Sequence, residues 1–427
     1  MNDNTQRGLA VRDQEVIWHP YTQMQDALPP IPIVRGEGVY VVDDQGTKYL
    51  DAVSSWWVNI HGHANPYIAM KVAEQLKTLE HVIFAGFTHE PAVLLAERLL
   101  KLLPGGQSKI FYSDNGSTAV EVAVKMCLQY WLNKGTKRKK IIAFKNAYHG
   151  DTFGAMAVSG RSVFTEAFND LLFEVEFIDV PRKDTIEKSI SILQKEHNDI
   201  ACFIFEPLVQ GSAGMIMYEP EHLDQLLLIC NELNILTIAD EVMTGFGRTG
   251  SYFACDQLSG KPDIICLSKG LTGGTMPMGV TSCQQHIFDA FLSSDSTKTL
   301  YHGHSYTANP LACTAANASM DLLLEANTLK NILRIKEKHA AFLRSINSHP
   351  KIRTVRQTGT ILALEWETGN GSSYLSGIRN KLYQFFLDQN MILRPLGNII
   401  YIMPPYIITD NELDLVYNAI NKALEEI

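Results

Sequence analysis

The strongest constraint on the fold comes from short apolar runs in which polar residues do not alternate. Such runs fill strands buried on both faces, which occur where helices cover both sides of a parallel sheet. Helical segments such as His222–Leu233 separate several of them. The runs are Ile141–Phe144, Ala201–Phe205, Leu236–Ala239, Asp263–Leu267 and Gly279–Cys283. The sequence therefore predicts an α/β fold with a large, mostly parallel sheet and helices on both faces.

A long helix is predicted after Gly116-Ser117. Its apolar residues recur at helical spacing, and Thr118 with Glu121 fits a capping box at its start. Near the N-terminus, Val39–Val42 and Thr47–Leu50 flank a turn that ends in glycine, which predicts a hairpin. The large sheet has no obvious place for this hairpin, so we expect it to join the C-terminal part of the chain.

The 427 residues allow two or three domains at roughly 150 residues each. The pattern changes after about residue 326, where the helix-like Leu329–Ile346 and Tyr374–Gln389 alternate with the strand-like Thr360–Trp366 and Ile399–Met403. This predicts a smaller α+β domain built from both termini. The expected divisions are 1–53 for the N-terminal arm and hairpin of the small domain, 54–325 for the large cofactor-binding domain, and 326–427 for the rest of the small domain.

Charge and composition narrow the class of protein. With 37 basic and 46 acidic residues, the net charge of −9 disfavours nucleic acid as a partner, and the basic run Lys134–Lys140 is interpreted as a solvated loop. No apolar run approaches the roughly 20 residues that span a membrane, and no signal peptide is evident. Seven cysteines without a CxxC pair indicate a reducing compartment. We therefore expect a soluble cytoplasmic protein.

Four features are predicted at the carboxyl ends of strands, where open α/β sheets bind ligands. Gly116 and Ser117 open a helix and can cradle a phosphate, although an ordinary helix start has the same pattern. Asp240 ends one buried strand and Lys269 follows another, where burial lowers the pKa of an amine and makes it a nucleophile. Tyr148 follows a third strand and can stack on a flat ligand. Taken singly, the helix start and Asp240 are also typical of local caps, Lys269 of a surface lysine and Tyr148 of an aromatic residue packed in the core. Together, the four features fit a site for pyridoxal phosphate.

Two other patterns point elsewhere and are weaker. Gly245–Gly250 matches GxGxxG, but no helix opens after it and no acid ends a second strand about twenty residues on. We expect these glycines to form a loop over the site. The pairs His61/His63 and His302/His304 have no carboxylate or cysteine cluster beside them, so no metal site is predicted.

Longer motifs identify a family. Ile238–Val242 with Thr244–Gly250, followed by Leu267–Gly270, resembles the class III (ω) aminotransferases among the fold-type I pyridoxal-phosphate enzymes. The resemblance runs from about His19 to Ile408. Within the class, the chain is most similar to members that convert 8-amino-7-oxononanoate to 7,8-diaminononanoate in biotin biosynthesis. The supporting signatures are His19–Met24, Ser54–Trp57, Glu206–Gly211, Arg394–Asn398 and Met403–Tyr406.

The resemblance implies roles around the cofactor. Lys269 would be the Schiff-base lysine and then the proton shuttle of a two-step, ping-pong transamination. Asp240 would hold the pyridinium nitrogen, and Tyr148 would stack on the ring. Gly116 and Ser117 would cradle the phosphate. Ser305 would reach the phosphate from the neighbouring subunit of a homodimer.

The resemblance also implies a substrate pocket. Arg394 would bind the carboxylate of the oxononanoate, whose apolar chain requires an aromatic channel that ends in a cation. The other residues expected in this pocket are Tyr21, Trp56, Trp57, Gly303 and Tyr401.

The amino donor is the open point. Trp56-Trp57 favours S-adenosylmethionine, whereas His304-Ser305 resembles members that use lysine. Another ω-aminotransferase, acting on ornithine, 4-aminobutyrate or a diamine, is the nearest alternative. A catalytically silent cofactor-binding protein is the alternative of a different class, and the intact Lys269 argues against it.

Overall fold

A seven-stranded sheet lies at the centre of the protein in the computed structural model, which describes residues 8–369 and 376–427. The strands are β1 Ile33–Glu37, β2 Tyr40–Asp43, β3 Lys48–Asp51, β4 Gln107–Ser113, β5 Lys140–Phe144, β6 Glu176–Ile178, β7 Ile200–Phe205, β8 Val209–Gln210, β9 Ile216–Met217, β10 Leu236–Asp240, β11 Ile264–Leu267, β12 Gly279–Gln284, β13 Ile352–Thr358, β14 Ile361–Trp366, β15 Met391–Ile392 and β16 Ile399–Ile402. The helices are α1 Leu9–Val16, the single turn α2 Ser54–Trp57, α3 Pro66–Leu76, α4 Glu90–Leu102, α5 Gly116–Asn133, α6 Phe153–Val158, α7 Ile186–Glu196, α8 Pro220–Glu232, α9 Gln285–Asp289, α10 Pro310–Leu323, α11 Ala326–Ile346, α12 Ile378–Asp388 and α13 Asp410–Glu426.

The central sheet has the strand order β4-β12-β11-β10-β7-β5-β6. β10 pairs in parallel with β7 and β11, and β5 pairs in parallel with β6 and β7. These strands confirm the predicted apolar runs, and β7, β10 and β11 are buried along their whole length. The sheet is therefore mostly parallel, with its core on both faces.

β12 departs from the parallel pattern. It is antiparallel to both β11 and β4, although its apolar run resembles the parallel strands. A parallel crossover needs a dozen or more residues, usually with a helix. The short connection between Leu267 and Gly279 holds only a single 3₁₀ turn, so the chain reverses direction instead.

The predicted long helix is confirmed as α5, but its cap differs from the prediction. The Asn115 side chain accepts a hydrogen bond from the amide of Thr118, and Thr118 Oγ1 accepts one from the amide of Asn115. Glu121 instead accepts hydrogen bonds from Thr152 Oγ1 at 2.6 Å and from the amide of Gly154 at 2.8 Å. Its carboxylate therefore ties α5 to the start of α6.

The N-terminal hairpin pairs with the C-terminal part of the chain. β1, β2 and β3 are antiparallel neighbours, and β3 pairs in parallel with β15, placing Leu50 opposite Met391. β13, β14 and β16 form a separate three-stranded sheet. The division into two domains stays a prediction. The predicted helix start at Tyr374 lies outside the described residues, and α12 begins at Ile378.

Two general features of the described part bear on the sequence-based expectations. None of its helices is long and apolar enough to cross a membrane. All seven cysteines are buried and carry free thiols.

The glycine-rich segment 245–250 lies in the core and does not form a loop over the site. The Arg248 carbonyl accepts a hydrogen bond from the amide of Thr360 at 2.9 Å. This bond joins the segment to the turn between β13 and β14. At that turn, Gly359 has a φ of +54°, and a Cβ there would overlap the backbone of Thr249 and Gly250. This contact fixes the segment, because backbone cannot move aside as a side chain can.

We expect Gly359→Ala to lower the free energy of unfolding by about 2 to 4 kcal/mol, since it adds a backbone overlap to a left-handed φ. Gly46→Ala is the matched control. Gly46 also has a positive φ, +86°, but open space around its Cβ position, so about 1 kcal/mol is expected. Urea denaturation followed by circular dichroism measures both. Equal losses would contradict the close contact at Gly359.

Candidate active site

Lys269 follows β11 and faces a cavity of about 690 Å³, called here the main cavity. Its φ of +47° is unusual for a residue with a side chain. The amine lies 4.5 Å from the centre of the Trp57 ring. Asp240, the last residue of the adjacent β10, lines the same cavity. The structure therefore brings together the two strand-end residues on which the sequence prediction depends.

Burial of the Lys269 amine lowers its pKa to about 8. The negative charges of Asp240 and Glu206 oppose this effect, and the buried guanidinium of Arg248 adds to it. A lysine with this pKa has an appreciable unprotonated fraction near neutral pH, which an exposed lysine lacks. Such an amine can act both as a nucleophile and as a base.

Asp240 is held by two partners. His149 Nδ1 donates to one carboxylate oxygen at 2.6 Å, and the amide of Val242 donates to the other at 3.1 Å. His149 is buried, and its Nε2 has no hydrogen-bond partner among the described residues. The buried imidazole orients the carboxylate toward the main cavity. Sequence reasoning gave His149 no role, although it directly follows Tyr148.

Glu206 is a second buried carboxyl group in the main cavity. Its carboxylate accepts hydrogen bonds from the amides of Tyr148 at 3.0 Å and Gly211 at 2.9 Å. Burial raises its pKa to about 7, the charge of Asp240 adds to this rise, and His149 opposes it. Glu206 appeared in the sequence only as the first residue of a family signature, without a role.

The first turn of α5 forms a cup at one end of the main cavity, bordered by Gly116 and Ser117. A Cβ on Gly116 would lie 2.7 Å from Val242 Cγ1, and one on Gly150 would overlap Ser117 Oγ. The backbone can approach a ligand here only because both positions are glycine. Free amides at the start of an 18-residue helix make this cup suitable for an anion.

Tyr148 forms part of an aromatic wall. Its hydroxyl lies 3.1 Å from that of Tyr21, which also donates to Asp151. The Tyr21 ring packs edge-on against Trp56, with ring centres 5.5 Å apart. Trp57 Nε1 donates to the Tyr401 hydroxyl at 2.9 Å, so Tyr401 supports Trp57 and does not line the main cavity. Asp151 is a further residue that sequence reasoning missed.

A second cavity of about 410 Å³, called here the side cavity, shares Tyr148, Gly150 and Asp151 with the main cavity. Phe164, Leu396 and Ile399 are among its apolar lining residues. Arg394 lies two residues before Leu396, and its guanidinium carbon lies 4.4 Å from the centre of the Trp56 ring. The side cavity thus combines an apolar wall with polar residues such as Arg161, and it adjoins the main cavity that Lys269 lines.

Six of the predicted site residues line neither cavity: Tyr21, Trp56, Gly303, Ser305, Arg394 and Tyr401. Gly303 and Ser305 are exposed and line neither cavity of their own chain. Around the histidine pairs, His63 Nε2 donates to Asp51 at 2.9 Å and His61 contacts Ser319 at 3.0 Å. Across residues 8–369 and 376–427, no three His, Cys, Asp or Glu side chains are grouped to hold a metal ion.

Comparison with known proteins identifies the class. The class-III aminotransferase family matches residues 21–424, so the chain belongs to this family of pyridoxal-phosphate enzymes. A relative from Synechococcus elongatus, named adenosylmethionine-8-amino-7-oxononanoate aminotransferase, is 47% identical over 421 residues, covering 96% of this chain and 99% of the relative. The crystal structure of the enzyme of that name from Methanocaldococcus jannaschii has a TM-score of 0.94 at 38% identity, with 98% of each chain covered. An omega transaminase from Pseudomonas jessenii, solved in complex with PMP, has a TM-score of 0.92 at 27% identity, also with 98% of each chain covered.

The main cavity fits the cofactor of this family. The Lys269 amine suits the aldehyde, and the Asp240 carboxylate suits a protonated ring nitrogen. The cup at the start of α5 suits the phosphate, and its close packing requires glycine at 116 and 150, where a Cβ would collide with Val242 or Ser117.

The pKa of Lys269 predicts how cofactor capture depends on pH. Below about pH 8 the amine is mostly protonated, so covalent capture of pyridoxal phosphate by cofactor-free protein should speed up as the pH rises through 8 and level off above it. Stopped-flow absorbance measures this rate, with Lys269→Ala as the control for surface lysines. A rate that climbs without levelling off to about pH 10 would show an unshifted amine.

Proposed function

We propose that this protein is an aminotransferase of biotin biosynthesis that converts 8-amino-7-oxononanoate to 7,8-diaminononanoate, with S-adenosylmethionine as the amino donor. Relatives with this named activity cover nearly the whole chain at 47% and 38% identity, which supports the substrate pair. The observation that carries the proposal is Arg394 on the Trp56 ring, close in the chain to Leu396 and Ile399, which form an apolar wall of the side cavity next to the main cavity. An acceptor with an apolar chain and a terminal carboxylate requires that combination.

Six residues would hold pyridoxal phosphate: Gly116, Ser117, Tyr148, Asp240, Lys269 and, from a second subunit, Ser305. When bound, the cofactor supplies an electron sink that stabilises negative charge on the reacting carbon of the substrate. Asp240 would face the ring nitrogen with its carboxylate, whose direction His149 fixes through a hydrogen bond of 2.6 Å. Tyr148 would cover one face of the ring, and Glu206 holds the Tyr148 backbone.

Lys269 moves the proton. Its Nζ is a free amine in the structure, and a pKa of about 8 suits proton transfer near neutral pH. Nζ removes the proton from the amino-bearing carbon of the donor in the first half-reaction. In the second, Nζ returns a proton to the acceptor carbon that receives the amino group. Over the two half-reactions, the donor exchanges its amino group for an oxygen and leaves as the corresponding oxo compound, and the oxo group of the acceptor is replaced by that amino group.

The aromatic residues shape the pocket for the acceptor. Trp56 holds the Arg394 guanidinium by a cation–π contact, which aims it without neutralising it. Tyr21 links Trp56 to Tyr148 and Asp151, and Trp57, supported by Tyr401, covers the Lys269 amine. The reacting carbon and the carboxylate of the acceptor are thereby bound at separate places.

We also propose a homodimer that works in the cytoplasm. Gly303 and Ser305 are exposed on their own chain, as expected for residues that complete the site of a partner. Tyr301 and Tyr306 beside them are 70% and 66% exposed, which is typical of an apolar surface that another subunit covers. Light scattering tests this, because a mass near 47.7 kDa would indicate one chain alone.

Mass spectrometry of the product tests the function. Purified protein with pyridoxal phosphate, S-adenosylmethionine and 8-amino-7-oxononanoate should form 7,8-diaminononanoate. Lysine replaces S-adenosylmethionine in a parallel reaction, and faster product formation with lysine would overturn the proposed donor. Turnover of 4-aminobutyrate equal to or better than that of the oxononanoate would overturn the proposed acceptor.

Arg394→Ala is the matched variant for this assay. It should raise KM for the oxononanoate by about a hundredfold, the loss expected for one charge-assisted carboxylate contact, while the donor half-reaction stays within about twofold. Stopped-flow spectra of each half-reaction separate the two effects. Equal losses in both halves would mean that Arg394 serves both substrates or supports the fold.

A further inference from the structure

The wall of the side cavity is held in place by an arginine from a distant part of the chain. β8 and β9 form a short hairpin whose tip, residues 211–215, borders the side cavity through Ser212, Ala213 and Gly214. Arg356, on β13, donates from Nε to the Met215 carbonyl at 2.8 Å and from Nη2 to the Gly214 carbonyl at 2.5 Å. One guanidinium thus holds two successive carbonyl groups.

The hairpin tip needs this support. Each of its strands has only two residues, and such short hairpins are not stable by themselves. Gly214 and Met215 have φ values of +89° and +56°, and the second is an uncommon conformation for a residue with a side chain. Met215 is fully buried, so its carbonyl depends on the protein for a hydrogen bond.

The position of the tip sets the width of the side cavity. A Cβ on Gly214 would overlap Ile399 Cδ1, which lines the same cavity from β16. The tip therefore already lies against the C-terminal wall. A small displacement would change the space available to an apolar chain.

Arg356 is itself oriented by a buried carboxylate. Its Nη1 donates to Glu365 Oε2 at 3.1 Å, and Glu365 is only 6% exposed. Arg353, on the same strand, reaches Glu365 Oε1 at 3.5 Å with a side chain that is 48% exposed. Arg353 thus shares the carboxylate with Arg356, but among the described residues it makes no hydrogen bond to the hairpin tip.

We propose that Arg356 is a positioning residue for the acceptor, which fixes the hairpin tip so that the side cavity receives the apolar chain of the oxononanoate. The inference rests on the proposed function for the identity of the acceptor. The hairpin tip faces the apolar part of the lining, where Leu396 and Ile399 suit the chain of the oxononanoate. We therefore expect Arg356 to act on the acceptor half-reaction and not on the donor half-reaction.

The test compares Arg356→Met with the matched control Arg353→Met in the holoenzyme. Arg356→Met should raise KM for 8-amino-7-oxononanoate by about tenfold with kcat within about twofold, because binding of the acceptor is what the tip controls. The donor half-reaction should stay unchanged, and Arg353→Met should behave like the wild type. Arg356→Lys should recover part of the effect, because one ammonium group replaces some of the lost donors.

Hydrogen–deuterium exchange provides a readout that needs no substrate. Peptides covering 209–217 should exchange faster in Arg356→Met than in the wild type or Arg353→Met. Unchanged exchange, an equal loss in both half-reactions, or identical effects of the two variants would overturn the inference. Wild-type turnover of the oxononanoate is measured first, so failure of the proposed function is seen separately, as a wild type that does not use this acceptor.

Discussion

An amine enclosed at the carboxyl edge of a buried sheet is the constraint on which the rest of the structure depends. Burying a charged ammonium is costly unless opposite charges compensate for it, and otherwise the group loses its proton. Asp240 and Glu206 supply part of that compensation, while burial and the nearby Arg248 guanidinium disfavour the charge, and the balance is a pKa of about 8. The site is therefore an arrangement of buried charges that brings the pKa of one lysine close to neutral pH.

The surrounding backbone shows how this arrangement is maintained. Lys269, Trp57 and Tyr21 all have positive φ values, of 47°, 70° and 53°. Conformations of this kind cost free energy and persist where packing over-determines them. The Trp57 indole donates to Tyr401, and its carbonyl accepts from Arg248 at 3.3 Å, so contacts with distant elements hold the strained turn. Contacts with the protein core thus offset the free-energy cost of the backbone conformations that shape the main cavity.

The site residues that local sequence patterns predicted lie at the ends of strands, whereas those that the sequence missed act through partners that are distant in the chain. Lys269 and Asp240 were predictable because each lies at the end of an apolar run, and parallel strands bring such ends to one edge. His149 and Arg356 act through partners 91 and 141 residues away, so no local pattern marks them. The direction of β12 and the cap of α5 were also not predicted. The direction of β12 depends on the short loop that precedes it, and α5 is capped by Asn115 because Glu121 binds the start of α6 instead. Ser305 was predictable only from the family resemblance, because its own chain leaves it exposed.

The central claim is that the Lys269 amine is the group that holds the cofactor. Borohydride reduction of the purified holoprotein, followed by peptide mapping with mass spectrometry, tests it most directly, because reduction makes the linkage permanent. The account predicts loss of the yellow colour and a single modified residue, Lys269. Modification of another lysine, or bleaching without any protein-bound label, would contradict it.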